Sequence, residues 1–165
     1  MKLISCTIEN FGKLNNVTYD FSGECNTICE DNGWGKSTLA SFIRVMFYGF
    51  KNESKKKLVD KERNRLMPWQ KGVYGGEIVF ETGGVVYSLR RTFGKKQVDD
   101  EFLLVRKDTN VECDDFSCDI GEELFKIDAQ SFERTVFIGQ SDCVTATTDL
   151  SLIHISEPTR RTPIS

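Results

Sequence analysis

The sequence predicts a mixed α/β fold arranged around a phosphate-binding loop, and three observations carry that reading. A short β-branched step, Thr27-Ile28, runs into a turn with two glycines, Gly33 and Gly35. Lys36-Ser37-Thr38 follows at once, and from Leu39 to Tyr48 apolar residues recur at helical spacing. Residues 77–107 then alternate apolar and polar side chains between Gly-containing turns, which is the pattern of an antiparallel β-meander.

Strand, glycine turn and helix form the context that a phosphate cradle requires. Gly33 and Gly35 have no Cβ, so the backbone can take positive φ and turn its N–H groups inward toward a polyphosphate. A helix starting near Lys36 adds unpaired N–H groups and the positive end of its dipole. The expected binding residues are therefore Asn32, Gly33, Trp34, Gly35, Lys36, Ser37 and Thr38. Lys36 places its ammonium among the β- and γ-phosphate oxygens, and the Ser37 hydroxyl is set to ligate Mg²⁺. The usual pattern, G-x-x-x-x-G-K-[ST], has Glu30 here in place of its first glycine. A carboxylate near a phosphate site is repulsive, so Glu30 must point away from the loop for the cradle to work. The bland alternative is a chance glycine turn followed by a lysine; the intact N-G-x-G-K-S-T between strand and helix favours the functional one.

The 165 residues permit one domain, with 39% hydrophobic and 28% charged side chains. No apolar run approaches the roughly 18 residues of a membrane span. Residues 1–7 read as a strand and not as a signal peptide, because polar side chains interrupt any apolar core. Six cysteines are scattered without a C-x-x-C pair, which argues against zinc and for a reducing, cytoplasmic compartment. The net charge of −3 gives no general pull toward nucleic acid, so any DNA contact would be local.

The tail is unlike the rest. Leu150 to Arg160 looks like the in-frame translation of a transposon-end sequencing adapter, matched over eleven consecutive residues. The alternative is a native amphipathic strand and loose tail. The expected organisation is thus an N-terminal ATP-binding lobe over residues 1–149 and a non-native segment over 150–165. Residues 1–149 hold 20 basic and 24 acidic side chains and no histidine, which excludes Ser-His, Cys-His and His-metal mechanisms within them.

In chain order, residues 2–9 suit a strand with one apolar face, residues 10–13 a turn, and residues 17–21 a second strand. Ser22-Gly23 leads into a third strand expected at Cys25–Cys29, ahead of the phosphate loop. Leu39, Phe42, Ile43, Met46 and Phe47 share one helix face as core packing. Residues 51–65 carry a local net charge of +4; they read as a solvated loop, with phosphate or DNA-backbone contact as the sharper alternative. Trp69 and Tyr74 lie among turn glycines. Strands follow at 77–81, 85–92 and 101–106, then helical signals at Gly121–Phe125 and at Ala129–Arg134, with Asp128 as N-cap.

Separated motifs then resemble one family. I-E-N-F-G at 8–12, the N-G-x-G-K-S-T loop and F-E-R-T-V-F-I-G-Q at 132–140 are similar to the N-terminal lobe of the SMC/RecF/SbcC class of ABC-type P-loop NTPases. A-S-F-I-R-V-M-F-Y-G-F at 40–50 and M-P-W at 67–69 point to its bacterial, SbcC-like AAA subgroup. The resemblance implies ATP and Mg²⁺ as cofactors and assigns Gln140, a metal ligand, the task of positioning the attacking water. Lys36 and Gln140 are then the catalytic pair. Glutamine suits the task because its amide ligates a hard cation and accepts from water without titrating. Lys13 matches a position where a basic side chain approaches the nucleotide.

The resemblance further implies two heads joined through ATP, DNA as a partner in double-strand-break repair, and a nuclease partner; no membrane partner is implied. The acidic strand end and serine-glycine signature of such ATPases are missing from this sequence, so the piece alone is expected to bind nucleotide weakly and not to turn over. Two rivals stand beside it. One is an ATP-gated scaffold or clamp that binds DNA without processing it; the other is a small-molecule kinase, against which the β-meander argues.

Overall fold

The computed structural model describes residues 1–21, 23–50 and 61–137. Its frame is one six-stranded antiparallel sheet in the order β2-β1-β3-β4-β5-β6. The strands are β1 (Lys2–Phe11), β2 (Leu14–Asp20), β3 (Gly75–Thr82), β4 (Val85–Thr92), β5 (Glu101–Arg106) and β6 (Val111–Glu112). Four α-helices accompany them: α1 (Lys36–Tyr48), α2 (Glu62–Arg65), α3 (Ile120–Phe125) and α4 (Ala129–Thr135). The expected meander is present as β3-β4-β5, each strand paired to the next with continuous register from Gly75↔Thr92 to Tyr87↔Arg106.

Period-two alternation fixes which face of the sheet is covered. Cys6, Ile8, Ile78, Phe80, Leu89 and Leu104 point to one side and are buried against α1, whose Phe42, Val45, Met46 and Phe47 meet them. Edge-to-face ring contacts run through this layer, Phe11 on Phe42 at 5.2 Å and Phe47 on Phe80 at 5.7 Å. Burial pushes the Cys6 thiol up to about 12, so it behaves as a small apolar side chain. The C-terminal half of α1 also receives α3 and α4: Tyr48 lies 4.9 Å from Phe132, and the Tyr48 hydroxyl donates to Ile127 O at 3.1 Å. Asp128 caps α4 as expected, its carboxylate accepting from Ser131 N–H at 2.7 Å.

Two expectations need correction. Residues 25–29 form no strand. Both edges of β1 are occupied, by β2 and β3, so the segment before the phosphate loop cannot pair with that strand. Residues 61–65 are not a solvated loop either. They form α2, where Arg63 grips Asp100 with two bonds of 2.6 and 2.7 Å and lies over the Phe50 ring. The remainder of that charged stretch, 51–60, lies outside the described residues, as do Gln140, Cys143 and the whole segment 150–165. Among the described residues no helix is long and apolar enough to cross a membrane.

Candidate functional site

The site begins where β1 turns into β2 beneath the start of α1. Gly33 and Gly35 take φ of +87° and +129°, as the loop chemistry requires. Gly35 is also too crowded for a side chain, since a Cβ there would lie 2.9 Å from Leu14 Cδ2. Trp34 N–H closes a turn onto Asp31 O at 3.2 Å, and its indole packs edge-on against Tyr19 at 5.8 Å. Trp34 therefore anchors the loop to β2.

α1 then starts at Lys36 with no side-chain cap and no acidic residue in its first turn. Its first intrahelical bond is Leu39 N–H to Gly35 O at 2.8 Å, which by helix geometry leaves the N–H groups of Lys36, Ser37 and Thr38 for another acceptor. An uncapped, positively poled helix start suits an anion. The Lys36 ammonium donates to Glu30 O and, at 3.0 Å, to Asp31 O, so the loop curls around its own lysine. A second ammonium is close by. Lys13 Nζ lies 3.8 Å from where a Gly33 Cβ would be, and Lys13 Cε lies 3.5 Å from that of Gly35.

Glu30 lines a pocket with Tyr19, Phe21 and Ile28. Burial, then the charges of Cys6 and Glu30, push the Tyr19 hydroxyl above its ordinary range.

A cleft of about 550 Å³ opens beside the helix start. Its floor and near side carry Ser37, Thr38, Ser41, Asn10, Lys13 and Asn15; its far wall is the chain from Arg65 to Gln70. Among the described residues no carboxylate lines it, and two cationic side chains, Lys13 and Arg65, do. Trp69 on the wall is fully exposed. The sequence left the Trp69 stretch open, as an aromatic turn that suits either a solvated or a phosphate-contacting segment; it lines the cleft beside the phosphate loop. The Ser37 hydroxyl is exposed at the first turn, an oxygen donor of the kind Mg²⁺ takes when phosphate oxygens and water complete its shell.

The structure thus brings Asn32 through Thr38 together with Lys13. A glycine-lined loop curled around a lysine, an uncapped helix start and a cleft with no carboxylate among its described lining residues suit a phosphate-bearing ligand, as in a nucleotide-binding domain of the ATPase type. Comparison with known proteins agrees: the sequence matches the AAA domain family over residues 5–161, and the chain belongs to that family. The matched range continues past Asp149 into the adapter-like segment. The protein YhaN of Bacillus subtilis (strain 168) is similar, 35% identical over 82 residues, which is 49% of this chain. The match covers 8% of the length of that relative.

Proposed function

We propose that this chain is the N-terminal ATP-binding lobe of an SMC/RecF/SbcC-like ATPase. The observation that carries the reading is the pair of positive-φ glycines, 33 and 35, directly before an uncapped helix whose Lys36 sits inside the loop. The triphosphate lies along the Asn32–Thr38 backbone, where main-chain N–H groups and the Lys36 ammonium receive its oxygens. Lys13 approaches from the β1–β2 turn and adds a second positive charge. The nucleoside end extends into the cleft toward Trp69. Ser37, with Gln140 as the second ligand that the resemblance implies, would hold a Mg²⁺ ion, which would supply charge neutralisation at the phosphates.

This chain's own residues bind and orient the nucleotide, and Gln140 orients the attacking water. In the longer protein, two such heads close on ATP and part after hydrolysis, with the γ-phosphate as the switch. DNA is the partner this coupling serves, in break repair or chromosome maintenance with a nuclease, and the compartment is the cytoplasm. A clamp that grips DNA without processing it uses the same site and differs only in what hydrolysis drives.

Binding of MgATP to the parent protein and to Lys36→Ala tests the reading. Loss of measurable binding in Lys36→Ala is expected, and unchanged affinity would overturn it. Gln140→Ala should instead retain binding and slow hydrolysis in the uninterrupted protein; loss of binding equal to that of Lys36→Ala would remove the role given to Gln140.

A further inference from the structure

Arg44 lies on α1 about two turns beyond Lys36 and Ser37, and only 3% of its side chain is exposed. A guanidinium at that depth is costly unless carboxylates meet it. Two do, from different parts of the chain. Both Glu62 oxygens lie 2.5 Å from Nη2, and a Glu133 oxygen lies 3.3 Å from Nε. Nη1 is buried without a hydrogen-bond partner, so the group is held through two of its three nitrogens.

The two carboxylates flank Arg44 from two separate helices, α2 and α4. Glu62 opens α2, which leads directly into the cleft wall at Arg65–Gln70. Glu133 is on α4, which ends five residues before Gln140 in the sequence. Other contacts hold each flank separately: Arg63 on Asp100, Gly12 N–H on Leu66 O at 2.7 Å, and Tyr48 on Ile127 O. None of these joins the wall to α4. Arg44 touches both, from the helix that carries the phosphate loop.

We propose that Arg44 is a positioning residue that couples the cleft wall to α4 by holding Glu62 and Glu133 on two nitrogens of one guanidinium. An apolar side chain would pack against either flank without fixing their mutual orientation; a planar, rigid set of donors fixes it. The two flanks then move as one when the site fills. Calling them flanks of a nucleotide site rests on the function proposed above, but the coupling itself does not.

Hydrogen exchange on the 165-residue chain tests it, in the parent, Glu133→Gln, Arg44→Met and the double variant. Glu133→Gln weakens one of the two ion pairs on Arg44 and should speed exchange across residues 62–70 by about threefold or more. That effect should vanish when Arg44 is already methionine. Faster exchange confined to residues 129–135 would overturn the proposal, as would a wall effect that persists in the double variant. If Arg44→Met does not fold, Arg44→Lys takes its place, since an ammonium keeps the charge without the fork and should equally abolish the effect. Titration of the parent with inorganic tripolyphosphate is read alongside: loop amides that ignore it would remove the nucleotide reading while the exchange comparison still decides the role of Arg44.

Discussion

Replacing Gly35 by alanine isolates the geometry on which the phosphate site depends. At φ +129° and ψ 18° an L-residue is strained, which costs about 1–3 kcal/mol. The new Cβ would also lie 2.9 Å from Leu14 Cδ2, and Leu14 is buried with little room to retreat. Overpacking of that kind costs a further ~1–3 kcal/mol. Together the substitution should remove about 2–6 kcal/mol of stability, a large share of the ~5–15 kcal/mol available to a domain. Gly83 is the internal control. It also has positive φ, +59°, but a Cβ there meets nothing within 4 Å, so Gly83→Ala should cost only about 1–2 kcal/mol. Urea unfolding of the two variants gives both values by linear extrapolation. A Gly35→Ala loss no larger than that of Gly83→Ala would refute the reasoning, because the loop would then not need the conformation assigned to it.

Burial works against ionisation of Glu77, but the Ser88 hydroxyl and the Lys107 ammonium outweigh it and hold the carboxyl below its ordinary range. A depressed folded value contributes stability above the unfolded pKa and loses it as pH falls through the folded one, so stability should decline below about pH 4.5. Glu77→Gln should flatten that part of a melting-temperature profile. Asp128→Ala removes the N-cap of α4 and should lower the melting temperature by a few degrees, with Asp128→Asn recovering most of it. Cys25 and Cys29 are exposed while Cys6 is buried, so a thiol reagent on the native protein should modify the first two and spare Cys6 until unfolding.

Much of the fold was legible because it is written in local pattern. Glu101–Arg106 and Val85–Thr92 alternate cleanly between turn residues, and their observed bounds are the expected ones. The phosphate loop was legible for a related reason: glycine positions, lysine and hydroxyl follow one another within a few residues. The start of β2 was placed late because Asn15 and Asn16 have turn chemistry, and Asn16 does take φ +51°; pairing of Phe11 with Leu14 overrides that local preference. What local pattern could not carry is whatever depends on distant partners. Whether residues 25–29 form a strand depends on a partner strand to pair with, which their own β-branched character cannot supply. The cleft wall was hidden because Arg63 finds Asp100 37 residues away, and the Arg44 cluster because its carboxylates come from two separate helices.

The account stands on main-chain amides that receive phosphate oxygens. Backbone amide NMR during titration with inorganic tripolyphosphate reads them directly, with no nucleoside to confuse the result. The amides of Gly33 to Thr38 should shift together and saturate, and the same titration of Lys36→Ala should leave them in place. Loop amides that stay still while residues elsewhere respond would contradict the site.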